Sequence, residues 1–448
     1  MSAKAAKKPK APTKRRKSPK KRSRPLPPEY NMLLTATLCL LALGAVMVFS
    51  ASSTTRILQD GGLSDSAFYL KRTLLFGAVG LVIMAFASRH GLRVVRQLTP
   101  LLLAGSIFLL LAVLAVGTEV NGATRWLGGG FLQVQPSELA KVALILYGAD
   151  LLAQKPKRVR SLEGLMPFLL VVGASSLLIM LQPDMGTTMV IAFSVGATLV
   201  AAGVRPADLG KIGLVIGVLA LLMAVVEPYR MARLTSFLNP SADAAGAGFQ
   251  AEQAKIALGS GGLFGEGLGN GVQKAFYLPE AHTDMITAVI GEELGLVGIA
   301  GVVGLFAMFG YAGLKTAQKA KDIYSKLLVT GLTSLVMVQA IINLFAVMGM
   351  APLTGVPLPF VSYGNSSLMA SLFAVGLILN VARGGAAASA RRATPTGAGK
   401  LRAIDGGRSP ARERSSAKGA RKAKSGGGGG GNRGARRARH GGRRRASG

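Results

Sequence analysis

Asp284 lies at one end of a hydrophobic run, directly after His282 and Thr283 and about two helical turns before Glu292. A carboxylate in such a partly dehydrated position can abstract a proton, which is the task of a general base. An Asp at the start of a helix is also favoured simply as a cap, and on residue type alone the two interpretations are equal. The other titratable side chains crowded around Asp284 favour the functional interpretation, so we take it as the candidate catalytic residue.

Basic side chains could hold an anionic ligand near this carboxylate. Arg makes bidentate contacts to phosphate oxygens, so an anion such as a lipid-linked pyrophosphate is a candidate ligand. The alternative is that long basic side chains extend to lipid headgroups, which fits Lys71 and Arg72 equally well and fits Arg230 and Arg233 less well. The basic residues concerned are Lys71, Arg72, Arg125, Arg230, Arg233, Lys255 and Lys274.

Three further motifs have simpler structural explanations. Glu138 and Lys141 are three residues apart on one helix face, which favours an internal ion pair. Asp184 follows a Gln-Pro turn and is placed to cap the next helix. The glycine-rich stretch 259–271 lacks the spacing of a nucleotide-binding loop, so a flexible flap over a groove is the favoured interpretation.

The composition is that of a polytopic membrane protein, because half of the 448 residues are hydrophobic and only 16% are charged. Cys39 is the only cysteine, which excludes an intrachain disulfide and a cysteine-based metal site. The three histidines are too scattered for a zinc cluster. A metal ion would therefore have to be held by carboxylates.

Ten apolar runs are predicted to be spans, and the first, Asn31 to Ser50, has about the 20 residues that a spanning helix needs. The first is too long for the apolar core of a cleaved signal and is expected to be retained. The predicted spans are Asn31 to Ser50, Leu70 to Ala87, Leu98 to Val116, Val134 to Ala153, Leu165 to Leu181, Gly186 to Gly203, Ile212 to Val226, Leu294 to Leu314, Leu327 to Met350 and Ser366 to Val381.

Charge on the loops predicts the orientation, because cytoplasmic loops are rich in Lys and Arg. With the N-terminus inside, every second loop is basic along the whole chain, and both termini are cytoplasmic. The large loop 227–284, between the seventh and eighth spans, is then extracytoplasmic. Basic residues are depleted on that side, so those that remain there need a specific explanation.

The segment from Met285 to Leu314 exceeds the length of one span, so the turns that carry Asp284, Ala288 and Glu292 are expected at the outer surface. Four glycines below them are spaced to let another helix approach closely. They are Gly295, Gly298, Gly301 and Gly304.

The two tails carry most of the net charge of +33. Residues 1–30 form a basic tail without hydrophobic periodicity, and residues 384–448 are rich in Ala, Gly, Arg and Ser, so both are predicted to be disordered and cytoplasmic. Attraction to anionic lipids is the expected role of such tails, whereas the absence of interleaved aromatic residues disfavours nucleic-acid binding. The membrane domain is predicted to comprise residues 31–383.

An ordered set of motifs resembles the SEDS (shape, elongation, division and sporulation) family, and the resemblance runs from about Leu33 to Arg383. Two stretches, Gly269 to Lys274 and Tyr277 to His282, resemble its cell-division branch more than its rod-elongation branch. Gly364-Asn365 departs from the double glycine usual in the family. The motifs are Asn121 to Trp126, Gln135 to Lys141, Gln182 to Thr187, Leu278 to Asp284, Gly291 to Gly295 and Pro357 to Gly364.

The resemblance implies an all-α polytopic membrane protein with ten transmembrane helices. It implies a peptidoglycan glycosyltransferase that polymerises lipid II at the outer face of the bacterial cytoplasmic membrane, at the division septum, with a class B penicillin-binding protein transpeptidase and other division proteins as partners. The essential aspartate of the family falls on Asp284. The expected reaction is an inverting single displacement, because a lipid pyrophosphate leaves without an acid whereas the acceptor hydroxyl needs a base.

We assign the remaining candidate residues to the substrate or the groove wall. Glu292 is expected to tune the base or to neighbour a divalent cation, Mg²⁺ or Mn²⁺, although the sequence establishes no cofactor and no metal ligand. A lipid II flippase and a non-catalytic division scaffold are the alternative functions. The candidate substrate-binding residues are Lys71, Arg72, Arg125, Lys141, Arg230, Arg233, His282, Glu292 and Ser362.

Overall fold

The computed structural model describes residues 26–59, 67–90, 92–120, 123–130, 133–156, 159, 161–226, 228–239 and 247–393. The predicted tails therefore lie largely outside the described residues. In chain order the elements are α1 (Pro28–Gln59), α2 (Phe68–Arg89), α3 (Leu92–Val116), β1 (Thr118–Val120), β2 (Ala123–Trp126), α4 (Pro136–Gln154), α5 (Leu162–Met180), α6 (Met185–Ala202), α7 (Pro206–Val226), α8 (Pro228–Leu238), α9 (Ala247–Ser260), α10 (Gln273–Phe276), α11 (Ile286–Gln318), α12 (Ile323–Val347) and α13 (Asn365–Ala393).

Nine helices of the described part are long and apolar enough to cross a membrane: α1 to α3, α5 to α7 and α11 to α13. The predicted fourth span corresponds to α4, which has the required length but carries Glu138, Lys141 and Asp150. Because α4 is buried on most sides against α3, α6 and α12, its charges face protein rather than lipid. A count of ten spans therefore depends on whether α4 is included.

The helices form one bundle in which α4, α12 and α13 are the most buried, while α7 is largely exposed along its apolar length. Glycines bring two pairs of elements into close contact. A Cβ on Gly376 of α13 would lie 2.7 Å from the Met84 oxygen of α2, and one on Gly44 of α1 would lie 2.6 Å from the Phe360 oxygen. These glycines allow α2 to pack on α13, and the segment before α13 to pack on α1.

Helix α11 is broken at Gly295, whose φ is 65° and ψ −161°. The glycine-rich segment 261–267 fills the break: the amides of Glu266 and Gly267 donate to the Glu292 and Glu293 oxygens, at 2.9 and 3.1 Å. In return, the amides of Leu296 and Val297 donate to the oxygens of residues 262 and 263, at 3.0 and 3.2 Å. Backbone groups near the break are thus hydrogen-bonded within the protein.

Two predictions about these glycines were wrong. The glycine-rich segment is not a flap over a groove, because its backbone is hydrogen-bonded into α11. A close helix approach along Gly301 and Gly304 is also absent from the described structure, since a Cβ on either residue would meet no atom within 4 Å. Spacing alone cannot distinguish a packing face from a face directed to lipid.

The predicted loop 227–284 contains the three helices α8, α9 and α10 in its described parts. A small antiparallel hairpin, β1 with β2, interrupts the otherwise helical chain between α3 and α4. The predicted cap at Asp184 is confirmed, since its Oδ1 accepts from the Thr187 amide at 3.0 Å. Helix α13 continues to Ala393, ten residues beyond the predicted domain boundary, through an alanine-rich stretch that favours helix.

Candidate active site

Asp284 lies in the turn that precedes α11, outside the membrane-spanning helix. The N-cap position of α11 is Met285 rather than Asp284, so the helix start does not use this carboxylate as its N-cap. Its Oδ1 accepts from the Thr283 hydroxyl at 3.2 Å, and the same hydroxyl lies 2.9 Å from Glu280 Oε2. Glu280 itself has a φ of 56°, which is unusual for a residue with a side chain and marks a tight turn. The geometry favours the functional interpretation of Asp284 over the capping one.

The pKa of Asp284 is raised from its ordinary value of 3.8 to about 6. Burial is the largest cause, because it penalises the charged carboxylate, and the negative charge of Glu280 acts in the same direction. Hydrogen bonds, including that from Thr283, and the positive charge of Arg233 oppose the increase. A carboxyl group with a pKa of about 6 is ionised for the most part at neutral pH and is still basic enough to accept a proton.

Backbone contacts from α12 and the 353–364 segment hold this turn in place. Asn343 Nδ2 donates to the Asp284 oxygen and to the Val356 oxygen, both at 2.8 Å, while Asn343 Oδ1 accepts from Thr287 Oγ1 at 2.6 Å. The Tyr363 amide donates to the His282 oxygen at 3.0 Å. The position of Asp284 is therefore set by two segments distant in sequence, α12 and 353–364.

Aromatic rings and a buried arginine form the wall next to this turn. The His282 ring lies 4.4 Å from the ring of Tyr69 and 5.5 Å from that of Tyr363, between centroids. The guanidinium of Arg72 lies 5.9 Å from the Tyr363 ring centre. With its oxygen turned toward Arg72, the Asn365 amide accepts from Nε at 2.8 Å and from Nη2 at 3.1 Å. Asn365, which departs from the double glycine usual in the family, thus accepts hydrogen bonds from Arg72.

Lys141 lies in the interior of the bundle. Its Nζ donates to Glu138 Oε1 at 2.9 Å and to Gln339 Oε1 at 3.2 Å, and both charged side chains are almost fully buried. The predicted internal ion pair is therefore confirmed. Gln339 continues the network to Ser367 at 3.3 Å, which connects α4, α12 and α13.

Two predicted substrate residues bond to the protein's own backbone. Arg125, on β2, donates from Nε to the Gln182 oxygen at 3.2 Å and from Nη2 to the Pro183 oxygen, so it holds the turn before α6. Ser362 Oγ accepts from the Leu358 amide at 2.8 Å and closes a turn in the 357–364 segment. Lys71 is exposed at the start of α2. The side chain of Arg230, on α8, lies outside the described residues.

Arg233, also on α8, donates from Nη1 to the Leu353 oxygen at 2.6 Å. It lines a cleft together with Lys255, and its charge acts on Asp284. Arg233 is therefore the predicted cation that the structure brings into electrostatic contact with the candidate base.

Glu292 and its neighbour Glu293 hold the segment that leads to the Asp284 turn. Glu292 Oε1 accepts from the amides of Val272 and Gln273, at 2.7 and 3.0 Å. Glu293, fully buried, pairs with Lys274 and accepts from Ser50 Oγ at 2.7 Å, and Lys274 Nζ donates to Ser50 Oγ at 2.9 Å. The two carboxylates thus anchor α10 to α11, and through Ser50 to α1.

The sequence interpretation overlooked Asn343 and Ser50 and assigned no role to Glu293. Asn343 is a polar residue within the apolar run of α12, and Ser50 is the last residue of the predicted first span. These positions are sequence signals that could have identified both residues. Among the described residues, no three His, Cys, Asp or Glu side chains gather into a group that could hold a metal ion. The divalent cation expected beside Glu292 stays a prediction.

Comparison with known proteins agrees with this architecture. The family described as cell cycle protein FtsW/RodA/SpoVE matches residues 30–386. The chain is 40% identical over 360 residues to the probable peptidoglycan glycosyltransferase FtsW of Trichlorobacter lovleyi, which covers 80% of this chain and 94% of that protein. It is 42% identical over 358 residues to stage V sporulation protein E of Bacillus subtilis, which covers 79% of this chain and 96% of that protein.

Two solved structures are similar in fold and in sequence. One, described as the structural coordination of polymerization and crosslinking by a peptidoglycan synthase complex, superposes with a TM-score of 0.63 at 29% identity over 79% of this chain and 97% of that chain. The other, the rod shape determining protein RodA of Thermus thermophilus, gives a TM-score of 0.58 at 29% identity over 78% and 95%. The resemblance to the SEDS proteins is confirmed, and the chain belongs to the FtsW/RodA/SpoVE family of cell cycle proteins.

Proposed function

We propose that this protein is a peptidoglycan glycosyltransferase that polymerises lipid II at the outer face of the bacterial cytoplasmic membrane during cell division. The observation that carries the proposal is Asp284, a partly buried carboxyl group whose pKa is raised to about 6 in a turn held by hydrogen bonds from Asn343 and Tyr363. Relatives named as probable peptidoglycan glycosyltransferases, aligned over most of the chain, support the reaction class.

In the proposed step, Asp284 accepts the proton of an acceptor sugar hydroxyl while the hydroxyl oxygen attacks the anomeric carbon of the donor. A carbon–oxygen bond forms, and the bond between that carbon and the diphosphate breaks. The diphosphate leaves with the electron pair, and water takes the proton from Asp284 after the step. A base used in this way contributes about 10²- to 10⁴-fold to the rate.

The chain's own groups have distinct parts in this scheme. Asn343 and Thr283 position Asp284 through its backbone and its carboxylate. Arg233, whose positive charge acts on Asp284, is the cation proposed to offset the negative charge of the departing diphosphate.

We further propose that the protein works with a class B penicillin-binding protein transpeptidase at the septum, together with other division proteins. The solved complex that coordinates polymerization with crosslinking supports the pairing. Both termini are proposed to be cytoplasmic, with the basic tails near anionic lipids.

The test is glycan polymerisation from lipid II by the purified protein with its transpeptidase partner in proteoliposomes. We expect polymer with the wild type and with Glu119→Gln, a matched control because Glu119 is an exposed carboxylate on β1. Asp284→Asn should lower the rate by about 10²-fold or more. Full activity in Asp284→Asn would overturn the assignment, and lipid movement between leaflets without polymer would indicate a translocator instead.

A further inference from the structure

Four large apolar side chains form a continuous exposed surface at the break of α11. Two belong to the glycine-rich segment, Leu263 and Phe264, which are 62% and 81% exposed. The other two, Leu296 and Val297, follow the break and are 58% and 59% exposed. The Val297 amide donates to the Leu263 oxygen at 3.2 Å, so the two pairs lie side by side. These four residues are called the outer apolar patch, and an exposed apolar surface of this kind is typical of a binding face.

The backbone behind the outer apolar patch is hydrogen-bonded, although the segment is built of turns rather than helix. The oxygens at 261–263 accept from the amides of Gly265, Leu296 and Val297, at 2.7, 3.0 and 3.2 Å. The amides at 266–267 donate in turn to oxygens of α11, at 2.9 and 3.1 Å. Non-helical backbone is tolerated beside lipid only where the protein itself satisfies its polar groups. These groups meet that condition.

Glycines let the segment pack against α11 through its backbone alone. A Cβ on Gly261 would lie 1.9 Å from the Gly291 oxygen, and one on Gly265 would lie 2.1 Å from the Glu293 oxygen. Gly265 also has a φ of 82°, which a residue with a side chain rarely adopts. The inner side of the segment is therefore backbone, and its two large apolar side chains are left on the outer side.

The length of α11 indicates the depth of the outer apolar patch in a bilayer. Lys315 lies in the last turn of α11, and its Nζ is 5.6 Å from the centre of the Tyr311 ring. Tyr and Lys side chains of this kind mark the boundary between hydrocarbon and headgroups. Leu296 precedes Lys315 by 19 residues. At about 1.5 Å per residue this is about 28 Å, close to the thickness of the hydrocarbon core, so the patch lies at its outer boundary.

We propose that the outer apolar patch is a membrane anchor, which inserts Leu263 and Phe264 between the acyl chains of the outer leaflet. Continuity with the spanning helix favours lipid as the occupant, because no charged residue lies between Leu296 and Leu314 in the sequence of α11. The inference goes beyond the proposed glycosyltransferase, since contact with lipid requires no turnover. Because the segment is hydrogen-bonded to α11 at the break, the anchor fixes the height of the helical turns that lead to Asp284.

Tryptophan fluorescence measures the depth of the patch directly. Trp126 is the only tryptophan, so Trp126→Phe provides a silent background for the full-length protein. In that background Phe264→Trp is placed in phosphatidylcholine bilayers whose acyl chains carry bromine either near the carbonyl end or near the middle. We expect blue-shifted emission that loses at least half of its intensity to the bromine near the carbonyl end, and less to the deeper bromine.

Two control positions calibrate this measurement. Val303→Trp, on the exposed face of α11 below the patch, should be quenched more strongly by the deeper bromine. Glu119→Trp, on the exposed strand β1, should emit as a tryptophan in water and be quenched by neither lipid. If Phe264→Trp behaves like Glu119→Trp, the proposal is overturned.

A second label keeps the test valid if the tryptophan variants fold poorly. Cys39 is the only cysteine, so Phe264→Cys in a Cys39→Ser background accepts a single nitroxide spin label. The label should be more accessible to oxygen, which concentrates in hydrocarbon, than to a water-soluble nickel chelate. Greater accessibility to the nickel chelate would overturn the anchor.

A protein partner is the competing occupant, and the same fluorescence distinguishes it from lipid. Quenching of Phe264→Trp by brominated lipid should persist when a purified class B transpeptidase is added in excess. Loss of quenching on that addition would make the patch a protein interface and overturn the proposal. Quenching in a protein that makes no polymer would refute the proposed enzyme and leave the anchor in place.

Discussion

The side-chain amide of Asn343 donates a 2.8 Å hydrogen bond to the backbone oxygen of Asp284, 59 residues away in sequence. The same amide nitrogen donates to the Val356 oxygen, and its oxygen accepts from Thr287 at 2.6 Å. One buried side chain of α12 therefore joins the turn of the candidate base, the first turn of α11 and the segment before α13. The rate of proton abstraction depends on the precise placement of the base, so this contact connects packing with catalysis.

Asn343→Ala is expected to lower polymerisation and stability together. It leaves the oxygens of Asp284 and Val356 without their buried donor, which costs about 1–3 kcal/mol for each unsatisfied group. Thr287→Val is the matched comparison, because it removes one of the three bonds and leaves the Asp284 contact in place. Thermal midpoints and polymerisation rates should both rank wild type above Thr287→Val above Asn343→Ala. Equal rates in the two variants would contradict a positioning role for Asn343.

The pH profile of polymerisation should follow the ionisation of Asp284. Because the base must be ionised, kcat/KM should increase as the pH rises through about 6. Glu280→Gln removes a negative charge that raises the pKa of Asp284, so the midpoint should move to lower pH. The measurement is the initial rate from pH 5 to 8 in both proteins. A midpoint that moves upward in Glu280→Gln would exclude Asp284 as the titrating group.

The same raised pKa predicts a conflict between activity and stability at this position. An Asp whose folded pKa lies above its unfolded value stabilises the fold only while it is protonated, so stability falls as the pH rises from about 4 to about 6. Asp284→Asn should therefore raise the thermal midpoint at pH 8 and have a smaller effect at pH 5. Melting curves of both proteins at the two pH values check this. An equal gain at both pH values would point to packing rather than charge.

Gly295→Ala should destabilise the protein strongly. A Cβ there would lie 2.6 Å from the Leu263 oxygen, and the positive φ is itself unfavourable for alanine. Gly301→Ala in the same helix is the control, because its Cβ would meet no described atom within 4 Å. Alanine in a helix interior is favoured over glycine by about 0.5–1 kcal/mol, so Gly301→Ala should melt at or above the wild-type temperature. If both variants were expressed at the same lowered level, the packing of segment 261–267 into the break of α11 would be refuted.

Lys274→Met should destabilise the contact of α10 with α11, because it leaves Glu293 buried without its cation. Removing one partner of a buried pair costs about 3–5 kcal/mol. The double variant Lys274→Met, Glu293→Gln removes both charges and should recover part of the lost thermal midpoint. Thermal melting of the three proteins measures this recovery. A double variant less stable than Lys274→Met would show that the charges act independently.

The sequence by itself predicted most of the helices, the cap at Asp184 and the pair of Glu138 with Lys141, because each depends on neighbours within one helix or turn. It also singled out Asp284 as the candidate base, since a carboxylate beside His and Thr at the end of an apolar run is a local pattern. The family motifs identified the family for the same reason, as they are short and ordered along the chain.

Only the tertiary structure decided which distant groups meet. The partners of Asp284 on α12, the contact of Glu293 with Ser50 on α1, and the docking of 261–267 into the break of α11 join residues far apart in the chain. Periodicity shows that a helix has an apolar face but not which helix covers it. A buried polar group must find a donor or acceptor, and the packing of the whole bundle determines which one lies within reach.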